Sequence, residues 1–120
     1  MNEVIAVFVD DLKLGTKISS EIASLNMEAV FPKSFTGKSL DEYDKIDLVI
    51  VDFEDRYDYG ETVVESLKHI RNDIPIVSLF TRVKKESHDR LKEVGCDMIL
   101  PRSSFVRNIS SITQKFFNRN

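Results

Sequence analysis

Two apolar runs in this chain end in aspartate. Val4-Ile5-Ala6-Val7-Phe8-Val9 is followed directly by Asp10 and Asp11, and Leu48-Val49-Ile50-Val51 is closed by Asp52. If both runs are strands of one parallel sheet, three carboxylates meet at its carboxyl edge. Clustered like charges raise one another's pKa and cost stability unless a cation neutralises them. Magnesium suits such a place, because it takes oxygen ligands and is typically held by one or two carboxylates, waters and phosphate oxygens. A carboxylate in that setting can act as a nucleophile toward phosphorus, forming an acyl phosphate whose charge nearby cations offset. Asp52 is the candidate nucleophile, with Asp10, Asp11 and Asp52 as metal ligands. Taken singly, Asp10 or Asp11 could be a helix cap and Asp52 the start of a turn; the coincidence of all three at one sheet edge favours chemistry.

The elements that must position these residues follow from hydrophobic period. Short continuous apolar runs at residues 3–9, 27–31, 46–52, 74–80 and 97–100 alternate with stretches of helical period, the pattern of a mostly parallel sheet covered on both faces. Leu14, Ile18, Ile22 and Leu25 form one helical stripe, and Val63, Val64, Leu67 and Ile70 another. Phe105, Ile109, Ile112 and Phe116 predict a docked amphipathic helix at the C-terminal end. Residues 84–94 are charged with few apolar anchors, so the fourth helix should be the most exposed, ended by Gly95 as its C′ residue. Ligands of such folds bind beyond the strand ends where strand order reverses, here between the first and third strands.

With 120 residues and 42% hydrophobic content, the chain has the size of one domain over residues 1–120 with a single core. Its 17 basic and 20 acidic residues give a net charge of −3, which offers no field for nucleic acid or an anionic membrane. No apolar run is long enough to span a bilayer. The lone Cys96 fits a reducing cytoplasm and no disulfide framework.

On these residues the sequence resembles the receiver domain of two-component response regulators, over essentially its whole length. Val7-Phe8-Val9-Asp10-Asp11 resembles the family's first strand with its metal-binding acid pair, and Asp47-Leu48-Val49-Ile50-Val51-Asp52 the strand that ends in the phosphoacceptor. From Asp52 to Gly60 the family's spacing to the glycine that opens the third helix is kept. The resemblance implies a flavodoxin-like (βα)5 fold of α/β class, a five-stranded parallel sheet of order 2-1-3-4-5 with helices on both faces. It also implies that the backbone carbonyl of Glu54 is a further magnesium ligand.

The departures lie mainly in the second half. Where the family has a Thr or Ser that bonds the phosphoryl group stands Phe80, with Thr81 one residue later; Thr81 can substitute only if the strand bulges or ends early. Arg102 stands in place of the family lysine, with the order Pro101-Arg102, and its planar fork is not interchangeable with a compact ammonium. Ile99 occupies the aromatic switch position, and Asp55-Arg56 replaces the Met-Pro pair after the phosphoacceptor.

Two functions follow. The first is a stand-alone, non-enzymatic receiver that accepts phosphate on Asp52 from a histidine kinase or phosphotransfer protein with Mg2+ present. With no output domain attached, it would signal by contact with a downstream protein through the fourth helix, fifth strand and fifth helix. The alternative is a pseudo-receiver, an interaction module working without phosphorylation. A cofactor-binding flavodoxin-like enzyme is disfavoured, since Gly15, Gly37, Gly60 and Gly95 assemble no glycine-rich dinucleotide loop.

Other signals are weaker. Gly37-Lys38-Ser39 lacks the first glycine of a P-loop, where Pro32 stands. Ser39-Leu40-Asp41-Glu42 reads as a capping box opening a short second helix, with Ser39 as N-cap. His69 and His88 have no partner at metal-ligand spacing. Cys96 reads as a small buried residue without an activated thiol, and Asn108-Ile109-Ser110 as a chance glycosylation match within a helix.

Overall fold

The structure, a computed structural model, describes residues 2–34 and 37–117. Five strands, β1 (Val4–Phe8), β2 (Glu28–Val30), β3 (Leu48–Asp52), β4 (Ile76–Phe80) and β5 (Met98–Pro101), form one sheet of order β2-β1-β3-β4-β5. Every neighbouring pair is parallel. The register sets Phe8 beside Val51 and Asp52 beside Leu79, so β1, β3 and β4 end at one edge.

Strand alternation divides the core in two. Val49, Val51, Ile76, Phe80 and Ile99 face α3 (Tyr57–Ile70) and α4 (Lys85–Glu93), where Val64, Leu67 and Leu91 meet them. On the other face Ile5, Val7, Leu48, Ile50, Val77 and Leu79 meet Ile18 and Ile22 of α1 (Leu12–Ser24) and the C-terminal helices. Both faces of β3 and β4 are fully buried, which is why those strands read as continuous apolar runs.

Several expectations need correction. The C-terminal helix is broken into α5 (Arg102–Arg107) and α6 (Ile109–Phe117). Asn108 interrupts it with φ −129°, and its side-chain amide donates to the Ser104 carbonyl at 2.8 Å, the local competition for backbone that asparagine offers. Phe105, Ile109 and Ile112 are nevertheless buried together, with Phe116 packed against them. Ile70 ends α3 at 63% exposure and leaves the core stripe to Val64 and Leu67. The capping box fails as well: Ser39 lies inside α2 (Gly37–Leu40) and not before it, and the Glu42 N–H bonds to the Ser39 carbonyl as the turn closes behind the helix.

Gly95 adopts φ +106°, the left-handed conformation that ends α4 as expected. Cys96 is 3% exposed beside the Ser78 hydroxyl, and burial pushes its thiol pKa up. It should react with a disulfide reagent such as Ellman's only when the protein is unfolded. Fast labelling of the native protein would contradict that burial.

Gly60 opens the second turn of α3 directly over the Phe53 ring. A Cβ there would lie 2.8 Å from Phe53 Cδ2, and that ring is buried. Overpacking of this kind costs roughly 1–3 kcal/mol, more than the ~1 kcal/mol that alanine gains over glycine in a helix. Urea unfolding of Gly60→Ala should therefore show a loss of stability; an unchanged or raised midpoint would mean that Phe53 gives way freely.

Candidate functional site

The carboxyl edge of the sheet holds the acidic residues, but in separate roles. Asp52 ends β3 with its side chain at 0% exposure. Its Oδ1 accepts the Glu54 N–H at 3.0 Å and a hydrogen bond from Arg102 Nη2 at 3.0 Å. The same Nη2 stands 2.8 Å from Oδ2. That second contact is charge attraction without hydrogen-bond alignment, because Oδ2 and Arg102 Nε are both buried with no hydrogen bond.

Arg102 reaches the pocket because Pro101 ends β5 at φ −64° and α5 begins at Arg102 itself. Its guanidinium then lies across the end of β4 from Asp52. The interaction is charge-assisted and largely withdrawn from water, so it is stronger than a surface pair.

Asp11 is the N-cap of α1, its Oδ1 accepting the Leu14 N–H at 2.8 Å. Asp10 is exposed and lines one crevice together with Asp52. Glu54 and Asp55 turn the chain after β3 in left-handed conformations, φ 53° and 62°. Thr81 is exposed, is not part of the crevice wall, and gives its N–H to Asp55 Oδ1 at 2.8 Å. Phe80 is fully buried in the α3/α4 face of the core. Its ring stacks on Tyr57 at 4.4 Å and 9°, and the Tyr57 hydroxyl donates to the Arg82 carbonyl.

Asp10 and Asp52 therefore share one crevice, while Asp11 is held by its hydrogen bond at the start of α1. Among the described residues, no group of three Asp, Glu, His or Cys side chains could hold a metal ion. Arg102 supplies positive charge against both oxygens of Asp52, and the carboxylates that could offer oxygen to a magnesium ion in the crevice are those of Asp10 and Asp52, which line it together.

Sequence reasoning did not foresee the rest of the crevice. Phe31 and Lys33 after β2, with Arg56 and Tyr59 at the start of α3, complete its wall. The Arg56 guanidinium lies 4.5 Å over the Tyr59 ring. Neither loop carries a motif, and only the folding of β2 and α3 to either side of β1 and β3 brings them together.

No family model matches the chain, and no curated relative does. Solved structures do. A response regulator from Thermotoga maritima superposes with a TM-score of 0.84 at 12% identity, covering 99% of this chain and 100% of that one. The chain has the receiver fold. The BeF3-activated DrrB receiver domain gives 0.79 at 21% identity, covering 99% and 100% of the two chains. A CheY-like receiver domain protein from Methanospirillum hungatei gives 0.77 at 15%, covering 98% and 96%. At these identities the likeness is one of fold, and chemistry has to be argued from residues. No helix among the described residues is long and apolar enough to cross a membrane.

Removing one partner of a buried ion pair costs about 3–5 kcal/mol, because the other charge is stranded. With the Arg102 side chain 30% exposed, Arg102→Ala should cost about 2–3 kcal/mol on that scale, read by urea unfolding. Adding Asp52→Asn should restore part of the loss in a double-mutant cycle. Strictly additive losses would show that the pair is not coupled.

Proposed function

We propose that this chain is a receiver-fold signalling module that acts by protein contact, with the Asp52–Arg102 pair as a standing structural link and not a phosphate-driven switch. The observation that carries this reading is the Arg102 Nη2 atom placed within 3.0 Å of both Asp52 oxygens. The carboxylate that would attack phosphorus is engaged by a cation that belongs to the chain. Three neighbouring changes support it. Phe80 presents a buried ring where a phosphoryl-binding hydroxyl would stand, Ile99 gives β5 an aliphatic side chain buried in the core, and Asp11 is committed to capping α1.

In this reading the chain's own residues hold the output face fixed. The Tyr57–Phe80 stack, the Tyr57 contact with the Arg82 carbonyl and the Asp55 bond to the Thr81 N–H tie the segment leading into α4 to the turn after β3. The α4 surface is then presented without a phosphorylation step, and specificity comes from the side chains it exposes.

One observation favours a second reading, in which Asp52 accepts phosphate from a histidine kinase or phosphotransfer protein for relay to a downstream target. Asp52 Oδ2 carries no hydrogen bond, and Asp52 lines the crevice that Asp10 shares. Phosphoryl attachment there would require the guanidinium to move aside and pair with the new anion, which an Arg fork can do well.

Intact-mass spectrometry after incubation with acetyl phosphate, with and without magnesium, separates the two. The expected result is no mass gain by folded wild-type protein. A magnesium-dependent gain of one phosphoryl group, lost in Asp52→Asn and kept in Asp58→Asn, would overturn the proposal in favour of phosphoacceptance. Asp58 serves as control because its side chain is 98% exposed on α3.

A further inference from the structure

The crevice at the β1/β3 switch point holds about 420 Å³, within the range of small-molecule sites, roughly 300–1,000 Å³. Its composition is unusual for a surface hollow in three respects. Two of the exposed large hydrophobic side chains of the molecule, Phe31 at 53% and Tyr59 at 47%, both line it. Exposed aromatic rings at a hollow are a common feature of binding sites, since they offer large apolar area at little entropic cost.

Two cations also border it with little to neutralise them. Lys33 makes no ion pair or hydrogen bond with a described residue. Arg56 has one carboxylate near it, Glu54 at 4.0 Å, with both side chains largely in solvent; that contact is worth little. Arg56 is instead stacked on Tyr59, which orients its guanidinium at the wall of the crevice.

The third feature is an acceptor: Asp10 is exposed at the crevice without a hydrogen-bond or ion-pair partner among the described residues. Aromatic surface, a hydrogen-bond acceptor and cations thus lie around one volume, and a single ligand chemistry satisfies them together.

We propose that this crevice binds a nucleoside monophosphate. The planar base lies against Phe31 and Tyr59, an N–H group of the base donates to Asp10, and its phosphate is met by Lys33 and Arg56. A base stacked on aromatic side chains gains about 1–3 kcal/mol, and an Arg matches phosphate geometry with its fork. The ligand would bridge the loop after β2 and the start of α3. This occupant does not depend on the state of Asp52 as phosphoacceptor, so it goes beyond the function proposed above.

The test is a titration of 15N-labelled protein with AMP and GMP, followed by amide chemical shifts, with adenosine and inorganic phosphate as separate probes and no phosphodonor present. The expected result is saturable shifts from at least one nucleotide, concentrated at residues 31–34 and 56–59. Adenosine and phosphate alone should each bind at least about tenfold more weakly, a loss of ~1.4 kcal/mol. Arg56→Ala and Phe31→Ala should each weaken nucleotide binding by a similar factor, whereas Leu12→Ala, 83% exposed on α1, should not. Absence of saturable shifts with both nucleotides at about 5 mM, where even weak affinities register, would overturn the proposal. So would phosphate binding as well as AMP does, or variants that bind like wild type. None of these outcomes bears on whether Asp52 accepts phosphate, which the mass measurement decides separately.

Discussion

The geometry of the site rests on one constraint, the neutralisation of a carboxylate that the sheet buries. Asp52 is carried to the edge by β3, whose five residues are all buried, and its side chain has no exposure. A lone carboxylate there would be costly. The chain meets the cost with the Glu54 N–H and the Arg102 guanidinium. Because Arg102 is the first residue of α5, the pair also joins the end of β3 to the start of the C-terminal helices across β4. The site and the packing of the far edge of the sheet are therefore one problem with one solution.

A second consequence is a redistribution of aromatic side chains. Phe80 cannot serve a polar site, and it is turned by strand alternation into the α3/α4 face of the core. There it contacts Tyr57 and Phe53. The same Phe53 ring lies under Gly60 and meets Tyr59 edge-on at 6.0 Å. The turn after Asp52, the first turns of α3 and the end of β4 thus form one packed aromatic layer beneath the crevice. Rigid support of this kind is what holds Arg56 and Tyr59 in place at its wall.

The receiver fold is used for many purposes, and likeness of fold does not select among them. What distinguishes this chain is its charge arrangement: a carboxylate paired internally, a second carboxylate and two cations facing an open crevice.

Sequence alone determined the architecture. Continuous apolar runs separated by helical stripes require a parallel sheet covered on both faces, and the strand ends placed Asp10, Asp11 and Asp52 along one edge. What it could not determine was the direction in which each side chain leaves that edge. Asp11 and Asp10 are adjacent, yet one caps α1 and the other faces the crevice, because helix entry fixes the first. The reach of Arg102 depended on where β5 yields to α5, and the break at Asn108 on one local side-chain bond. Periodicity reports burial averaged over a face, whereas these outcomes turn on single dihedral angles and on residues 21 or 50 positions apart being brought within hydrogen-bond distance. Only tertiary structure sets those.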